Sequence, residues 1–438
     1  MNQHLLFSAC ALLALLSLPA NAQREWTLDQ CVAYALDHNA SVQQMSLQVE
    51  DAQLQLHTSR HSRLPDLNAS LGQSFSFGRS QGREGVTEDL SSTNTSFGIS
   101  TSVPLFTGFR IPNQIRADRE NLRAAEEKLE ARRRELSITI TGYFLNALYY
   151  KGVMGVAAEQ VTLDSLLLQT ARALVDEGRK AESEVYEAEA ALASSRLNLT
   201  TAQGNYRRTL LDLTHSINYE ESASIPVPAP VSELENESLA ARYIDNTAWI
   251  AVGVTSHPSV LAAEHQLRGS EYSWRVARSA YYPSLNFGAG YSNSYYYKFN
   301  SVNESFGNQL RLNGSEYLSL SLNIPIFNRL STRNSVRRAK LNITNNRLQL
   351  EETRRMLRKE IEQAQIDAVN ARERLASALQ AERTNQLACH YEREKYAAGK
   401  STLYVLSQAQ QKLIAARNDV VQARCELALR LRILKYYD

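Results

Sequence analysis

The sequence is poor in the features that would mark a disulfide scaffold, a collagen, a nucleic-acid binder or a bundle of membrane helices. It holds four Cys, and with the first 22 residues set aside three remain: Cys31, Cys389 and Cys425. An odd number with no C-x-x-C pair supports neither a disulfide framework nor a zinc site. Ten Pro and 18 Gly in 438 residues exclude a collagen. Charge of one sign is missing too: 48 Lys and Arg against 46 Asp and Glu leave a net +2, no basic field for nucleic acid. Beyond residue 22 no run of about 18 apolar residues occurs, so no helix is expected to span a bilayer. A mean hydropathy of −0.37 agrees. P-loop, G-x-S-x-G, H-E-x-x-H and dinucleotide motifs are all absent, so catalysis, cofactors and metals have no candidate residues.

What is present begins with Met1 to Ala22. An apolar core from Leu5 to Leu18 is followed by Ala20-Asn21-Ala22, a small-x-small signature. This reads as a secretory signal cleaved after Ala22, although His4 stands where Lys or Arg is usual. Lipidation of Cys10 is the alternative, disfavoured by the eight mostly apolar residues that follow it. The mature chain would begin at Gln23.

The mature chain is two copies of one unit. His38-Asn39-Ala40-Ser41-Val42 returns as Ser256-His257-Pro258-Ser259-Val260, and Leu64-Pro65-Asp66-Leu67 as Tyr282-Pro283-Ser284-Leu285, both offset by 218. Val103-Pro104-Leu105-Phe106 returns as Ile324-Pro325-Ile326-Phe327, and Gly178 as Gly399, both offset by 221. Residues 113–225 and 326–438 each contribute 113 positions, with no proline after the Pro325 landmark or between Pro112 and Pro226. The expected organisation is a signal over 1–22, a first repeat over 23–215, a linker over 216–237 and a second repeat over 238–438.

Each repeat reads as helix, strand, strand, very long helix and return helix. The first helix is expected from Thr27, a suitable N-cap, to Leu64 before Pro65, and its counterpart from about Ser238 to Tyr282 before Pro283. Strands are expected at about 66–78, 95–106, 284–299 and 315–327. Leu67, Ala69, Leu71, Phe75 and Phe77 alternate with Asn68, Ser70, Gly72, Ser74 and Ser76; Phe97, Ile99, Val103 and Leu105 alternate with Ser and Gly. In the second repeat Leu285, Phe287, Ala289 and Tyr291 line one face, as do Leu318, Leu320, Leu322, Ile324 and Ile326. One side is apolar and the other small and polar. Such alternation suits either a half-buried soluble sheet or a barrel wall in lipid. No remaining helix has apolar surface to spare as a cover, and tyrosines crowd the strands at Tyr281, Tyr282, Tyr291, Tyr295, Tyr296, Tyr297 and Tyr317, as an interfacial girdle would. The barrel is therefore preferred. Four strands cannot close one, because single-chain barrels begin at about 8 strands and an open edge in lipid strands its backbone groups. Several copies must share the wall, and the physics of the strands leaves their number open.

The long helices, Pro112 to Gly178 and Asn328 to Gly399, would each reach about 100 Å at 1.5 Å per residue. Gly142, Gly152 and Gly155 are places for a kink in the first. The last return helix carries a seam, Leu406, Ala409, Leu413, Ala416, Val420, Ala423, Leu427, Leu431 and Leu434, with a mean step of 28/8 = 3.5 residues, the coiled-coil period. Its counterpart is Val185, Ala188, Leu192, Ser195, Leu199, Ala202, Tyr206, Leu210 and Leu213. Short entering and return helices laid end to end match the long helices in length, as a tube wall of even height requires. The proline-rich linker, with Pro226, Pro228 and Pro230, is expected to belt its outside.

In their order and spacing, Leu64-Pro65-Asp66-Leu67, Ser102-Val103-Pro104-Leu105-Phe106-Thr107-Gly108, Ile324-Pro325-Ile326-Phe327-Asn328 and Tyr396-Ala397-Ala398-Gly399-Lys400-Ser401 resemble the TolC family of outer-membrane efflux proteins, over nearly all of the mature chain. The resemblance implies a homotrimer: a twelve-stranded barrel, three times four, in outer-membrane lipid, continued by a long α-helical periplasmic barrel. It implies an exit duct that passively conducts substrate from periplasm to exterior, joined to a periplasmic adaptor protein and an inner-membrane transporter that supplies the energy. It also implies adaptor-contact or gate residues at the helical tips: Gly178, Arg179 and Lys180 at one, and Gly399, Lys400, Ser401 and Thr402 at the other, with Tyr404 and Ser407 just beyond. Ordinary solvated turns are the plain alternative there. Some relatives carry aspartates after the second tip; Tyr404 and Ser407 stand in their place, so an acidic gate ring does not carry over. His57 and His61 sit one helical turn apart without a third ligand, and Arg132-Arg133-Arg134 and Arg354-Arg355 with Arg358-Lys359 read as solvated helix faces with acids nearby. The competing reading of the whole chain is a periplasmic coiled-coil structural or adaptor protein with a small soluble sheet. The cargo is not legible.

Overall fold

Thr27 opens the first helix as expected: its Oγ1 accepts from the Gln30 N–H at 3.3 Å while the Gln30 side chain accepts from the Thr27 N–H at 3.0 Å, a reciprocal capping box. The computed structural model describes residues 25–81, 87–89, 91–219, 227–230, 233–244, 249–299 and 301–438. The expected signal with Cys10 and its cleavage point, and Pro226 of the expected linker, lie outside the described residues. In chain order the elements are β1 (Glu25–Trp26), α1 (Leu28–His38), α2 (Ala40–His61), β2 (Asp66–Ser76), β3 (Arg79–Gln81), β4 (Thr87–Asp89), β5 (Ser92–Phe106), α3 (Arg110–Asp176), α4 (Ser183–Ser216), β6 (Val227–Pro228), α5 (Glu233–Tyr243), α6 (Trp249–Ser256), α7 (Pro258–Ser279), β7 (Ser284–Lys298), α8 (Phe306–Leu312), β8 (Ser315–Asn323), α9 (Ser331–Ala397) and α10 (Leu403–Tyr437).

Two expected helices are corrected. The one expected from Thr27 to Leu64 breaks at Asn39, whose extended backbone (φ −73°, ψ 124°) ends α1 and whose Oδ1 accepts from the Ser41 N–H at 2.9 Å. An asparagine side chain that satisfies the free N–H groups of the next turn starts a new helix in place of continuing the old one. The one expected from Ser238 to Tyr282 is α5, α6 and α7. Pro258 takes the first position of α7, where its missing N–H costs nothing, and drives His257 out of the helical region. Between the strands expected at 284–299 and 315–327 lies α8, capped by Ser305, and the stretch between β2 and β5 contains the antiparallel pair β3 and β4. Strand β8 ends at Asn323, short of the expected 327, since Pro325 has no N–H to pair.

By contact the chain forms two units: one from the residues up to Ser46, Lys128–Val260 and Arg354–Asp438, the other from Leu47–Glu127 and Leu261–Thr353. In the second unit β2, β5, β7 and β8 form one antiparallel sheet in that order, so the hairpin of the first repeat joins that of the second through β5 and β7. Leu67, Ala69 and Leu71 stand opposite Thr101, Ile99 and Phe97; Ile99 and Val103 stand opposite Tyr291 and Phe287; Phe287 and Leu285 stand opposite Leu320 and Leu322. Directly opposed residues share a face, so one side of the sheet is apolar across all four strands. Much of it is open among the described residues: Leu71 is 78% exposed and Leu318 79%. The opposite face carries Asn68, Ser70, Ser100, Gly288, Gly290 and Ser319. Strands β2 and β8 are the edges, each with one side unpaired.

In the first unit the heptad seams are buried. Leu406, Ala416, Val420, Ala423, Leu431 and Leu434 of α10, and Ala188, Leu192, Ala202 and Leu213 of α4, are all within the core. A further cluster packs Leu28, Cys31 and Ala35 of α1 with Ile140 and Phe144 of α3 and with Leu213, Ile217 and Ala428. Each large apolar side chain so buried contributes about 1.5–3 kcal/mol. The helix α3 runs continuously through Gly142, Gly152 and Gly155. At Gly152 the reason is visible: a β-carbon there would lie 2.5 Å from Val421 Cγ1, so the missing side chain is what lets α10 approach. Cys31, Cys389 and Cys425 are all unpaired, and burial pushes the Cys31 thiol up to about 12. Among the described residues no helix is long and apolar enough to cross a membrane.

Candidate functional site

Both hairpin tips of the first unit are shaped by glycine. Gly178 has φ +71°, its N–H donates to Val175 O at 2.8 Å, and the Arg179 N–H reaches back to Leu174 O at 2.9 Å. Gly399 repeats this with φ +73°, its N–H on Tyr396 O at 3.0 Å and the Lys400 N–H on Lys395 O at 2.8 Å. These crossed bonds satisfy the last carbonyls of α3 and α9 and require a left-handed residue at the turn. A β-carbon at either position would meet nothing within 4 Å, so backbone conformation alone selects glycine. The chain then re-enters a helix differently at the two tips. Thr402 caps α10, its side chain accepting from the Val405 N–H at 3.5 Å, whereas Glu182 precedes α4 without a side-chain cap.

Beneath the turns, Leu168, Ala171, Ala188, Leu192, Tyr396, Leu403 and Leu406 form one apolar cluster that joins the two hairpins. A polar group is built into it. The hydroxyl of Tyr396, a residue only 2% exposed, donates to Glu184 Oε2 at 2.8 Å. Glu184 Oε1 lies 3.0 Å from Lys180 Nζ, and that ammonium stands 4.8 Å from the centre of the Tyr396 ring. The Lys180 and Glu184 side chains are only 16% and 18% exposed, so the pair is shielded from solvent. Burial above all, then the bond to Glu184 and the charges of Glu184 and Glu187, push the Tyr396 hydroxyl well above its ordinary value and keep it a donor. The arrangement has the form of a latch: a phenol on the second hairpin held by a carboxylate on the first, with one cation in contact with both.

The remaining sequence candidates are placed as follows. Arg179 is exposed and lies 3.2 Å from Glu177. Ser401 donates to Glu392 Oε2 at 3.1 Å while Lys395 holds Oε1 at 2.5 Å, and the Lys395 bond, helped by Ser401 against burial, keeps the Glu392 carboxyl below its usual range. Lys400, Thr402 and Tyr404 face solvent, Tyr404 accepting from Gln408 Nε2 at 2.8 Å, and Ser407 is half-buried. Sequence reasoning reached Lys180 but not Tyr396 or Glu184. The available signal was an aromatic residue three positions before the turn glycine, where the rest of the turn is small or polar. In the second unit the rings of His57 and His61 are 4.0 Å apart, but His61 Nδ1 bonds to the His57 carbonyl at 2.8 Å. Among the described residues no three His, Cys, Asp or Glu are grouped to hold a metal. Arg132 and Arg133 pair with Glu135 and Glu130 as expected, while Arg134 is corrected: its guanidinium donates to the Tyr436 carbonyl at 3.1 Å.

With this geometry in place, comparison with known proteins is direct. The outer membrane efflux protein BepC of Brucella suis is 22% identical over 381 residues, covering 84% of this chain and 78% of that protein. The cation efflux system protein CusC of Escherichia coli O157:H7 is 23% identical over 278 residues, 60% of this chain, which spans about half of that relative (54%). A crystal structure of CusC superimposes with a TM-score of 0.80 at 18% identity over 94% of this chain and 91% of the other, so the fold is shared. The resemblance read from the repeated unit therefore holds. Matched to the outer membrane efflux protein family over residues 32–218 and 254–435, the chain belongs to that family.

Proposed function

We propose that this chain is the exit duct of a tripartite export system, a homotrimer whose shared β-barrel lies in the outer membrane and whose helices form a periplasmic tunnel. The observation that carries the reading is the sheet: four strands with a largely exposed apolar face, Leu71, Leu318 and Leu320 among it, and two edge strands without a further partner among the described residues. In water such a face would aggregate, and in lipid such edges would leave backbone groups unsatisfied at several kcal/mol each. Closing edge to edge with other copies removes both costs at once, with lipid outside and the Ser, Asn and Gly face lining a wet lumen. Transport through it is passive, and an inner-membrane transporter supplies the energy.

The tips are the proposed entrance. Gly178 and Gly399 set the turns; Arg179, Lys400, Thr402 and Tyr404 present side chains to a periplasmic adaptor; Ser401 and Ser407 pack behind them. The Tyr396, Glu184 and Lys180 group holds the two hairpins together, and its release would allow the entrance to widen. The test is fractionation followed by cross-linking and conductance. Recovery in the outer-membrane fraction, a detergent-extracted particle of three chains and ion conductance in planar bilayers are the expected results. A monodisperse, folded single chain in the aqueous fraction would favour the periplasmic coiled-coil reading.

A further inference from the structure

Strand β8 is too short for its partner. It pairs with β7 only from Ser284 to Ser292, yet β7 continues to Lys298 and is held on its other side by β5 throughout. The outer edge of β7 above Ser292 should therefore be bare, and it is not. Asn313 Nδ2 donates to the Ser294 carbonyl at 2.7 Å. The Gln309 amide takes the Tyr296 N–H on Oε1 and donates to the Tyr296 carbonyl from Nε2, both at 2.8 Å. Asn303 does the same for Lys298, at 2.7 and 2.8 Å. Three side-chain amides, spaced along the segment 303–313, reproduce the hydrogen bonds that a strand would make. The segment is pinned: Gln309 is 8% exposed, and Asn293, 4% exposed, donates to the Leu310 carbonyl at 2.7 Å.

This amide ladder uses up the edge, so no strand can pair with β7 at that level. Whatever continues the wall there must lie against the 303–313 segment itself. The β2 edge offers the complement. It has 11 residues against the nine of β8, so a copy pairing its β2 with β8 must overrun it. Across the sheet Gln73 and Phe75 are level with Tyr295 and Tyr297, the stretch of β7 that the amides cover. Both surfaces carry exposed apolar side chains: Phe306 and Leu312 on the segment are 55% and 68% exposed, and Phe75 of β2 and Phe77 just beyond it are 61% and 76% exposed.

We propose that the segment around α8 is a strand substitute that seals the upper seam between copies, its outer side packed on the end of β2 and the residue after it, Gln73 to Phe77, of a second copy of this chain. The inference rests on the shared-barrel reading and adds to it a specific contact. A helical segment and the end of a strand, apolar on both sides, close the wall where β-pairing stops, which keeps the mouth of the barrel sealed against lipid.

The experiment introduces the photoreactive residue benzoylphenylalanine at Leu312 in the full-length protein in its membrane, and scores trimer formation and adducts separately. Expected are normal trimers and an ultraviolet-dependent product of twice the chain mass, whose cross-linked peptide maps to 73–77. Trimers that give only lipid adducts, or protein adducts elsewhere, would overturn the seam while leaving the shared barrel intact. Loss of trimers from the unsubstituted protein would overturn both. A second variant, Gln309→Leu, strips the Tyr296 N–H and carbonyl of their partners and is expected to lower the temperature at which the detergent-extracted trimer dissociates. The exposed neighbour Asn308→Ala serves as its control, and equal dissociation temperatures in the two variants would contradict a sealing role for the ladder.

Discussion

Removing one oxygen atom, with Tyr396→Phe, tests the latch most sharply. The ring is 2% exposed and stays the same size, so the cluster of Leu168, Ala188, Leu192, Leu403 and Leu406 remains filled and Lys180 keeps its place 4.8 Å from the ring. What is lost is the 2.8 Å bond to Glu184, a hydrogen bond to a charged acceptor in a shielded site. Such bonds contribute about 1.5–3 kcal/mol, and Glu184 retains Lys180, which places the loss near the lower limit, about 1.5 kcal/mol. If this bond exists only in the closed entrance, the closed state loses roughly a factor of 10 in population relative to the open one. The assay is single-channel recording of the purified protein in planar bilayers. Opening frequency is expected to rise about tenfold, with Glu184→Gln moving it in the same direction, since the neutral amide no longer holds Lys180. Opening frequencies within twofold of the parent for both variants, in protein that unfolds at the parent temperature, would refute the latch.

Leu320, 66% exposed on the apolar face, is expected to face lipid, and Leu320→Lys should destabilise the assembled barrel by about 2–4 kcal/mol near the midplane, read as loss of heat-resistant trimer; unaffected assembly would reverse the facing of the strands. Gly152→Ala forces a β-carbon to 2.5 Å from Val421 Cγ1 and should cost about 1–3 kcal/mol in urea unfolding, whereas Gly142→Ala, which meets nothing within 4 Å, should be neutral or stabilising. Burial, helped by the charge of Arg134, lowers His257 from 6.5 to about 4. Between those values the unfolded chain binds a proton that the folded chain refuses, so this contribution to stability is complete above pH 6.5 and is lost, up to about 3 kcal/mol, as pH falls toward 4. His257→Gln should flatten that part of the stability profile. Asp164 is buried at 4% exposure and its carboxyl is raised by burial against bonds from Ser195 and Gln160, so its ionised form penalises the fold as pH rises through the raised value. Asp164→Asn should accordingly stabilise the protein at neutral pH and not in acid, which thermal unfolding at the two conditions would decide.

Much of the fold is legible because it is written in short-range periodicity. Thr27 three residues before Gln30 specifies a capping box without reference to anything distant. Apolar residues at alternate positions, Leu67, Ala69, Leu71 and Phe75 in β2 and Leu318, Leu320 and Leu322 in β8, and at steps of three and four in α10, specify which face each element buries or offers to lipid. The glycines that end α3 and α9 announce themselves because only that residue takes a left-handed backbone without strain. Where the reading failed, two local signals competed. Asn39 and Pro258 lie inside stretches that satisfy a helical pattern on either side, and the side-chain cap of one and the missing N–H of the other prevailed over the pattern.

The sequence by itself determined the duplicated unit, the four amphipathic strands, the two very long helices and the glycine turns, because each depends on a backbone preference acting over a turn or a strand. Only the tertiary structure decided that β5 joins β7, that Tyr396 meets a carboxylate 212 residues away, and that three side-chain amides complete the edge of β7 in place of a strand. Those partners are chosen when distant segments close on one another, and a phenol, a carboxylate or an amide carries no mark in sequence of which buried group it will satisfy.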